Sequence, residues 1–308
     1  MSEPTDELAL PHAIALTWGV AARPQRGPKR ELSIERIVET AISIADADGL
    51  AAVSMSRVAT ALGFTTMSLY RYVTSKDDLL LLMQDGVLDA TPPEPADDSG
   101  WRIQLRQWVL FTIALYRKHP WYGEIPVSGV PMTPNNLRIV DSGLRCLRDT
   151  RLTDQEKMAT ILLASSWAKG VGGIEHDLAV STARTGDPGR AQGAPYLAAL
   201  RELVTEELFP HLYPVLASGA YTDEEYDDFA FGLERLLDGI GVYIDGNGEH
   251  RPDEYRATLE ESELYVKDKK VREAAKARRD AEKALREARK REREALVSAR
   301  ERAERAVR

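Results

Sequence analysis

The amino-acid sequence predicts an all-α protein with a small N-terminal helical domain, a larger C-terminal helical domain and a long charged helix at the end of the chain. No segment of useful length alternates apolar and polar residues, which is the pattern of a half-buried strand. Apolar residues instead recur at helical spacing, and stretches rich in proline or glycine separate the helical segments. Residues 264–308 contain neither proline nor glycine. Helices are therefore the regular structure that the sequence supports.

Composition narrows the class of protein. A chain of 308 residues is long enough for two domains with a sizeable core. Its single cysteine, Cys146, excludes an internal disulfide and fits a reducing cytoplasm. No apolar run approaches the ~20 residues of a membrane span, and the N-terminus lacks the features of a signal peptide. We therefore expect a soluble, cytoplasmic protein that does not contact a membrane.

The net charge of −8 disfavours nucleic acid as a partner, but the distribution of charge matters more than its total. Residues 1–30 predict a flexible arm, in which the stretch 23–30 holds four cations and no acid. Its prolines and glycine keep this stretch out of a helix. It is either a solvated linker or an arm that lies along phosphates or enters a DNA minor groove. Its position before the first predicted helix favours the second interpretation, with Arg26 and Lys29 as contacting residues.

Residues 31–90 predict a helix-turn-helix domain. The first helix is expected over 33–46, where a serine can cap it and a continuous apolar stripe follows. A second amphipathic helix, 54–62, ends at Gly63, a residue type that closes helices in the left-handed conformation. Two threonines then offer an N-cap for a short third helix, 67–73. Two helices joined by such a turn form a helix-turn-helix.

The third of these helices carries polar groups suited to DNA. Ser68, Tyr70, Arg71 and Tyr72 can all donate hydrogen bonds to phosphates or base edges. Two apolar residues four positions apart would anchor the helix to the core, and a fourth helix is expected over 75–90. The alternative is a pair of packed core helices. It is disfavoured because core helices rarely expose two tyrosines and an arginine within three positions.

The run LGFTTMSLYRYVTSKDDLL at 62–80 resembles the DNA-binding signature of TetR-family transcriptional regulators. In that family glycine begins the turn, a Leu-Tyr pair lies in the middle of the recognition helix, an aromatic residue or histidine follows, and K-x-x-L-L opens the next helix. The matching residues are Leu69, Tyr70, Tyr72, Lys76, Leu79 and Leu80. The resemblance implies a homodimer that binds a near-palindromic operator in double-stranded DNA.

Two kinds of contact with the operator are expected from this surface. Base edges should be contacted by Thr65, Thr66, Met67, Ser68 and Arg71. Arg71 is the residue best suited to guanine, through two hydrogen bonds. Phosphates should be contacted by Ser54, Tyr70, Tyr72 and Lys76.

A stretch rich in proline and acidic residues, 91–100, predicts a boundary before a second helical domain at 100–250. Helices are expected there over 101–119, 135–149, 153–183, 195–208 and 221–245, with an irregular segment at 121–134 and a glycine-rich loop at 185–195. Prolines and Gly219 are expected to break the chain between the last two helices. Small residues at 164–173 would let a neighbouring backbone approach closely.

The sequences HPW at 119–121 and FGLERLLDGI at 231–240 resemble the ligand-binding domain of the tetracycline-repressor type. This implies a small-molecule effector, and a four-helix dimer interface formed by 153–183 and 222–245 of each subunit. Repression relieved by the ligand is the common outcome in the family, and activation stays open. An apolar or aromatic ligand would suit Trp108, Tyr116, Trp121 and Trp167, with Asn135, Asn136, Glu175 or His176 to orient it. Each aromatic residue taken singly is equally well explained as part of the core.

The end of the chain, 260–308, predicts a charged helical tail. Residues 264–308 hold 17 Lys and Arg against 9 Asp and Glu. Many of these charges pair four positions apart in the order that stabilises helices. The best seam for a coiled coil is mostly alanine and includes Arg278 and Glu292, which makes it weak. A solvated helix, weak self-association and contact with DNA all stay open.

Two other functions, an enzyme and a constitutive DNA-binding protein, are the alternatives to a regulator. Glu175, His176 and Asp177 are the densest group of possible catalytic residues or metal ligands, but consecutive helical residues point about 100° apart and do not converge. No known metal, phosphate or nucleophile motif is present, so we expect no enzyme, no metal and no cofactor. A constitutive DNA-binding protein without a ligand is the other alternative. An apolar pocket of ~300–1,000 Å³ would distinguish a sensor from it.

Overall fold

The computed structural model describes residues 10–20, 32–90, 92, 99–126, 132–185, 194–220, 226–246 and 252–306. All regular structure in these residues is helical, which confirms the predicted all-α fold. The helices are α1 (His12–Thr17), α2 (Ile34–Asp48), α3 (Met55–Leu62), α4 (Thr66–Leu69), α5 (Lys76–Val87), α6 (Trp101–Lys118), α7 (Pro134–Cys146), α8 (Asp154–Thr185), α9 (Ala194–Leu203), α10 (Leu212–Ser218), α11 (Asp228–Ile244), α12 (Pro252–Lys267) and α13 (Lys269–Ala306). Short 3₁₀ segments span Leu50–Ala52 and Pro120–Glu124. Met1–Gly248 and Glu249–Arg308 form two compact units.

The helix-turn-helix is built on serine caps. In α2, α3 and α5 the serine before the helix accepts a hydrogen bond from the backbone N–H three residues later, at 3.0–3.2 Å. These caps are Ser33, Ser54 and Ser75. Gly63 ends α3 with a φ of 77°, in the left-handed region where a side chain would be strained. The starts of these helices therefore follow from local sequence.

Helix α4 is shorter than the predicted span of 67–73. The amides of Tyr72 and Val73 both donate to the carbonyl of Leu69, at 2.8 and 3.0 Å, so the chain leaves α4 through tight turns. Leu69 and Val73 are fully buried, as their spacing predicts. The short helix is thus anchored at its end, with its remaining surface free.

Helix α1 corrects the expectation of a loosely attached arm over its residues. Ala13 and Ile14 are buried, and α1 packs against α5. The Nε1 of Trp18 donates to the carbonyl of Met132 at 2.8 Å. A helix of six residues is too short to show a period in the sequence, and tertiary contacts stabilise it. The basic stretch 23–30 lies outside the described residues.

Helix α6 is central to the C-terminal helices and packs against α7, α8 and α11. The expected break between 208 and 221 is partly wrong, because α10 forms there. Pro214 lies in its first turn, where a missing N–H removes no intrahelical bond, and Gly219 ends it with a φ of 82°. Among the described helices, none combines the length and apolar character that crossing a membrane requires.

In the second unit the single helix expected over 264–308 is interrupted at Asp268. Its carboxylate accepts a hydrogen bond from the amide of Val271 at 2.8 Å, so it caps α13. Backbone bonds still cross the junction, from Asp268 to Leu264 at 2.9 Å and from Arg272 to Asp268 at 3.1 Å. The interruption is therefore confined to one residue.

Candidate DNA-binding surface and effector domain

Helix α4 presents most of its surface to solvent. Leu69 is fully buried, whereas Met67 is 75% exposed and Tyr70 is 43% exposed. Arg71 directly follows and is also exposed. At the start of the helix the hydroxyls of Thr65 and Ser68 lie 2.9 Å apart. The residues predicted to contact bases therefore lie on α4 and on the residues directly before and after it.

The residues predicted to contact phosphates have more varied surroundings. The hydroxyl of Ser54 caps α3 by accepting from the amide of Arg57 at 3.2 Å, so it contributes to the fold as well. Tyr72 is half-buried against the core, and Lys76 is exposed at the start of α5. Arg26 and Lys29 lie outside the described residues.

Asp46 joins the helix-turn-helix to the C-terminal helices. This α2 carboxylate accepts a hydrogen bond from Nε1 of Trp121 at 2.6 Å, and the same oxygen lies 2.8 Å from Nδ1 of His119. His119 and Trp121 are both buried. The contact fixes the 3₁₀ segment after α6 against α2.

Asp85 makes a second joint between the same two groups of helices. Its carboxylate accepts a hydrogen bond from the amide of Asn135 at 2.9 Å, and Nδ2 of Asn135 donates to the Asp85 carbonyl at 3.0 Å. Asp85 thus lies at the N-terminus of α7, where backbone amides and the helix dipole favour an anion. Burial raises the pKa of Asp85, and hydrogen bonds from Thr133, Asn135 and Asn136 oppose that rise.

Neither carboxylate is predicted from the sequence as a functional residue. The sequence does mark Asp85 as unusual, because it is an acid among Leu82, Met83 and Val87 on the buried, apolar face of α5. Asp46 offers no such signal, since its partners lie 73 and 75 residues further along the chain. The polar groups of Trp121 and Asn135, predicted to contact an effector, are engaged in these joints.

The tryptophan of α6 is part of the core. Trp108 is buried, and its Nε1 donates to the carbonyl of Ile139 at 3.1 Å and to the hydroxyl of Ser142 at 3.0 Å. Both acceptors lie in α7. Trp108 therefore holds α6 to α7, with its polar group satisfied.

Tyr116 and Tyr122 form an aromatic pair beside α8. Their ring centroids are 5.2 Å apart, with planes inclined by 32°. Burial raises the pKa of Tyr116 to about 12, and it raises the pKa of Tyr122 as well. A Cβ at Gly172 would lie only 2.4 Å from the Cβ of Tyr116. Glycine is therefore required for α8 to approach α6 at this point.

Trp167 has a buried donor without a partner. Among the described residues no acceptor lies within hydrogen-bonding distance of its Nε1. The indole is pressed against α11, since a Cβ at Gly232 would lie 2.3 Å from its ring. Buried polar groups are normally satisfied, so the Nε1 of Trp167 is an exception among the described side chains.

The remaining predicted effector residues differ in their contacts. Glu175 accepts two hydrogen bonds from the guanidinium of Arg117, at 2.7 and 2.6 Å, so its charge is paired between α8 and α6. His176 is half-buried on α8, and Asn136 is half-buried in the first turn of α7. The eight predicted residues are thus spread over several helices and do not form one constellation.

A half-open cavity of about 240 Å³ lies between the end of α5 and α7. Its walls are formed by Leu88, Asp89, Ala90, Pro92, Asn135, Arg138, Asp141, Ser142 and Arg145. Asn135 is the one predicted effector residue among them, and the walls carry two acids and two arginines. This cavity is too charged to be the apolar pocket expected from the sequence, which stays a prediction.

Two family models match the chain. Residues 37–83 match the model of bacterial regulatory proteins of the tetR family, and residues 93–244 match the tetracyclin repressor-like C-terminal domain. The chain is 38% identical over 245 residues to the HTH-type transcriptional repressor DrrR1 of Streptomyces coeruleorubidus. That alignment covers 78% of this chain and 88% of the relative.

Solved structures give the same result. Apo ActR from Streptomyces coelicolor superposes with a TM-score of 0.57 at 26% identity, covering 70% of this chain and 98% of ActR. ActR in complex with actinorhodin gives a TM-score of 0.56 at 27% identity, and the match covers 71% of this chain and 100% of ActR. The chain therefore belongs to the TetR family of bacterial transcriptional regulators, with a tetracyclin repressor-like C-terminal domain.

Proposed function

We propose that this DNA-binding, ligand-responsive regulator is a homodimeric repressor that leaves a near-palindromic operator when an apolar or aromatic ligand binds. The observation that carries the DNA-binding part is the presentation of α4 and the turn after it, in which Leu69 is buried while Met67, Tyr70 and Arg71 are exposed. A helix anchored in this way can enter a major groove without disturbing the core. The name of the 38% identical relative supports repression as the outcome.

The proposed contacts with DNA divide by chemistry. Arg71 recognises guanine, and Thr65, Thr66, Met67 and Ser68 contact neighbouring base edges. Tyr70, Tyr72, Lys76 and Ser54 fix the orientation through phosphates. Arg26 and Lys29 extend these contacts along the backbone or into the minor groove.

The proposed dimer interface consists of α8 and α11. On α8 the apolar side chains of Met158, Leu162 and Ile174 are exposed, and Gly170 and Gly173 have open space around them. On α11, Phe231 and Val242 are each half-exposed. These exposed side chains support association with a second copy, because apolar surface on two long helices gains stability when it is covered.

The proposed effector site lies between α6, α8 and α11. Trp167 supplies an unpartnered N–H there, and the half-buried Tyr116 contributes an aromatic face. A ligand with a hydrogen-bond acceptor and an apolar body fits this combination. The complex of ActR with actinorhodin supports a small-molecule site in a related domain.

The proposed signal passes through α5. This helix begins three residues after the buried Val73 and ends at the joint between Asp85 and Asn135. A ligand that shifts α7 would move Asp85, and with it the recognition helices of the dimer. For this to release DNA, the ligand must bind the DNA-incompetent arrangement more tightly.

We also propose that the chain has no catalytic activity and acts in the cytoplasm, where bacterial DNA is found. Glu175, the most plausible catalytic acid or base, is held by Arg117 in a bidentate ion pair. Both carboxylate oxygens of Glu175 are engaged by this guanidinium, so neither is free to contact a substrate or a metal ion.

A selection from a random duplex library tests the proposal. The chain should enrich a near-palindrome whose half-sites are ~34–36 Å apart, because two recognition helices enter successive major grooves. Leu162→Glu places a charge in the proposed interface and should yield monomers in sedimentation that enrich no paired motif. Failure of the native chain to enrich any sequence would reject the DNA-binding function. Paired motifs and dimers with Leu162→Glu would reject this interface.

A further inference from the structure

Helix α13 carries a charge repeat of seven residues. Lys269, Lys276, Lys283 and Lys290 recur at this interval. Three residues after each of them comes an arginine: Arg272, Arg279, Arg286 and Arg293. All eight side chains are exposed. We call these eight residues the cationic stripe.

The spacing keeps the cationic stripe on one side of the helix. Its members alternate in steps of three and four residues, which are the steps between neighbours on one helical face. The stripe spans ~36 Å at 1.5 Å per residue, close to one turn of a DNA duplex, ~34–36 Å. An acid follows each arginine, at 273, 280, 287 and 294, and lies about 100° further round the helix. Each acid also lies four residues after a lysine of the stripe, so the acids form a line along its lysine edge.

Most of the stripe is not neutralised by partners in its own helix. Lys269 and Lys290 reach Glu273 and Glu294 only at 3.6 and 3.9 Å, in exposed pairs that contribute little. Within the described part of the tail, no ion pair involves the four arginines of the stripe. By contrast Arg278, which lies off the stripe, donates to Glu282 at 2.5 Å.

The composition of the tail points to an anionic partner. Helix α13 holds fifteen Lys and Arg against eight Asp and Glu, in a chain whose net charge is −8. Its candidate coiled-coil seam consists mainly of alanines, which bury too little surface to make self-association the main purpose of the helix. A plain helical spacer does not require eight of its fifteen cations to follow one side of the helix. The tail also lies beyond residue 244, where the C-terminal family model ends.

We infer that the cationic stripe is a second, sequence-independent DNA-binding surface that contacts duplex phosphates next to the operator. This inference rests on the proposed function, because the helix-turn-helix brings the duplex to the same molecule. A tethered stripe then meets phosphates at a high effective concentration, and a weak contact suffices. When lysine and arginine neutralise phosphates they release bound counterions, and this release makes DNA affinity depend on the salt concentration.

The test measures binding of the full chain to a mixed-sequence duplex of about 40 base pairs, by fluorescence anisotropy at several salt concentrations. The stripe variant combines Arg272→Gln, Arg279→Gln, Arg286→Gln and Arg293→Gln. A matched control removes the same number of positive charges at positions outside the stripe: Lys270→Gln, Arg278→Gln, Arg291→Gln and Arg302→Gln. Glutamine is a good helix former, so both variants keep the helix. A further variant replaces the same four arginines by lysine.

The stripe variant should bind more weakly, with a log–log salt slope shallower by up to ~3.6 for each tail on the duplex. The matched control and the lysine variant should keep the native slope. Equal slopes for the stripe variant and its matched control would overturn the inference. The inference would also be overturned if the stripe variant lost binding to vesicles of anionic lipid while its DNA binding stayed unchanged. That result would identify a membrane as the partner.

A variant of the other DNA-binding surface separates this inference from the proposed function. Arg71→Ala with Lys76→Ala should abolish recognition of the selected operator and leave the stripe-dependent part of the salt slope. If the native chain selects no operator while the stripe variant still changes the slope, the proposed function fails and the second surface stands. If the operator is recognised and the stripe variant binds DNA like the native chain, the proposed function stands and the second surface is rejected.

Discussion

Arg71 is exposed in the turn after α4, while Asp85 is buried where α5 meets α7. The first residue is available to a partner outside the chain, and the second is committed to a partner within it. Their substitution should therefore have opposite consequences. One should change what the protein recognises, and the other should change how its parts hold together.

Arg71→Ala should lower the affinity for the selected operator and reduce discrimination at one base pair by ~1–3 kcal/mol, the value of a bidentate contact with guanine. Competition binding against operators with single substitutions measures this. Tyr70→Phe serves as the control, because loss of a phosphate contact weakens all sequences alike. A uniform loss with Arg71→Ala would show that Arg71 contacts phosphate.

Asp85→Ala should lower the free energy of unfolding by ~1–3 kcal/mol, because it leaves the buried amide of Asn135 without its acceptor. Asp85→Asn should cost much less. It keeps an acceptor oxygen, and it removes a carboxylate whose raised pKa shows that burial penalises its charge at neutral pH. Urea denaturation measures both. Asp89→Ala, at an exposed acid just beyond α5, is the control; an equal loss there would contradict a specific role for Asp85.

The sequence predicts the recognition residues better than the effector residues. Leu69 and Tyr70 belong to a local pattern, so their burial and exposure follow from neighbouring positions. Asn135 and Trp121 pair with acids 50 and 75 residues away. One sequence contains no information on which distant residues meet, so their roles become visible only in the folded chain.

Helices α6 and α11 are joined by an ionic network at the scale of elements. Glu234 on α11 accepts hydrogen bonds from Arg106 at 2.6 and 2.9 Å and from Arg102 at 2.7 Å. These bonds, those from Arg106 foremost, lower the pKa of Glu234 to about 2. Its side chain is one-third exposed, so solvent screens part of the interaction.

The network predicts a pH dependence of stability. The folded-state pKa of Glu234 lies below its ordinary value of 4.5, so the stabilisation is complete above pH 4.5 and is lost as the pH falls towards 2. Glu234→Gln should lower the melting temperature by about 2–4 °C at pH 7. The difference from the native protein should be smaller at pH 3. A difference that stays constant between the two pH values would contradict the role of the charge.

Elements with their own end signals are predictable, and elements that depend on tertiary contact are not. Ser33, Ser54 and Ser75 cap the helices that the sequence predicts. Helix α1 has no such signal and exists through tertiary packing, since Ala13 and Ile14 are buried and α1 contacts α5. Asp268 is ordinary in a charged helix, and only its contact with the amide of Val271 makes it a cap.

For the unit Met1–Gly248, the joints at Asp46 and Asp85 give the regulator two places where ligand binding and DNA binding can be coupled. Both acids lie on helices of the DNA-binding part, and both partners lie at the ends of helices around the proposed effector site. A rearrangement of α6 or α7 therefore has a direct mechanical route to the recognition helix. Coupling of this kind is reciprocal by thermodynamic necessity.

The most direct test is a linkage measurement with the selected operator and one ligand. Actinorhodin, the ligand of the related ActR complex, is the first probe, followed by any compound that stabilises the free protein in a thermal-shift screen. The ligand should weaken operator binding by ~5–150-fold, and the operator should weaken ligand binding by the same factor. A ligand that stabilises the free protein but leaves operator affinity unchanged would contradict the account.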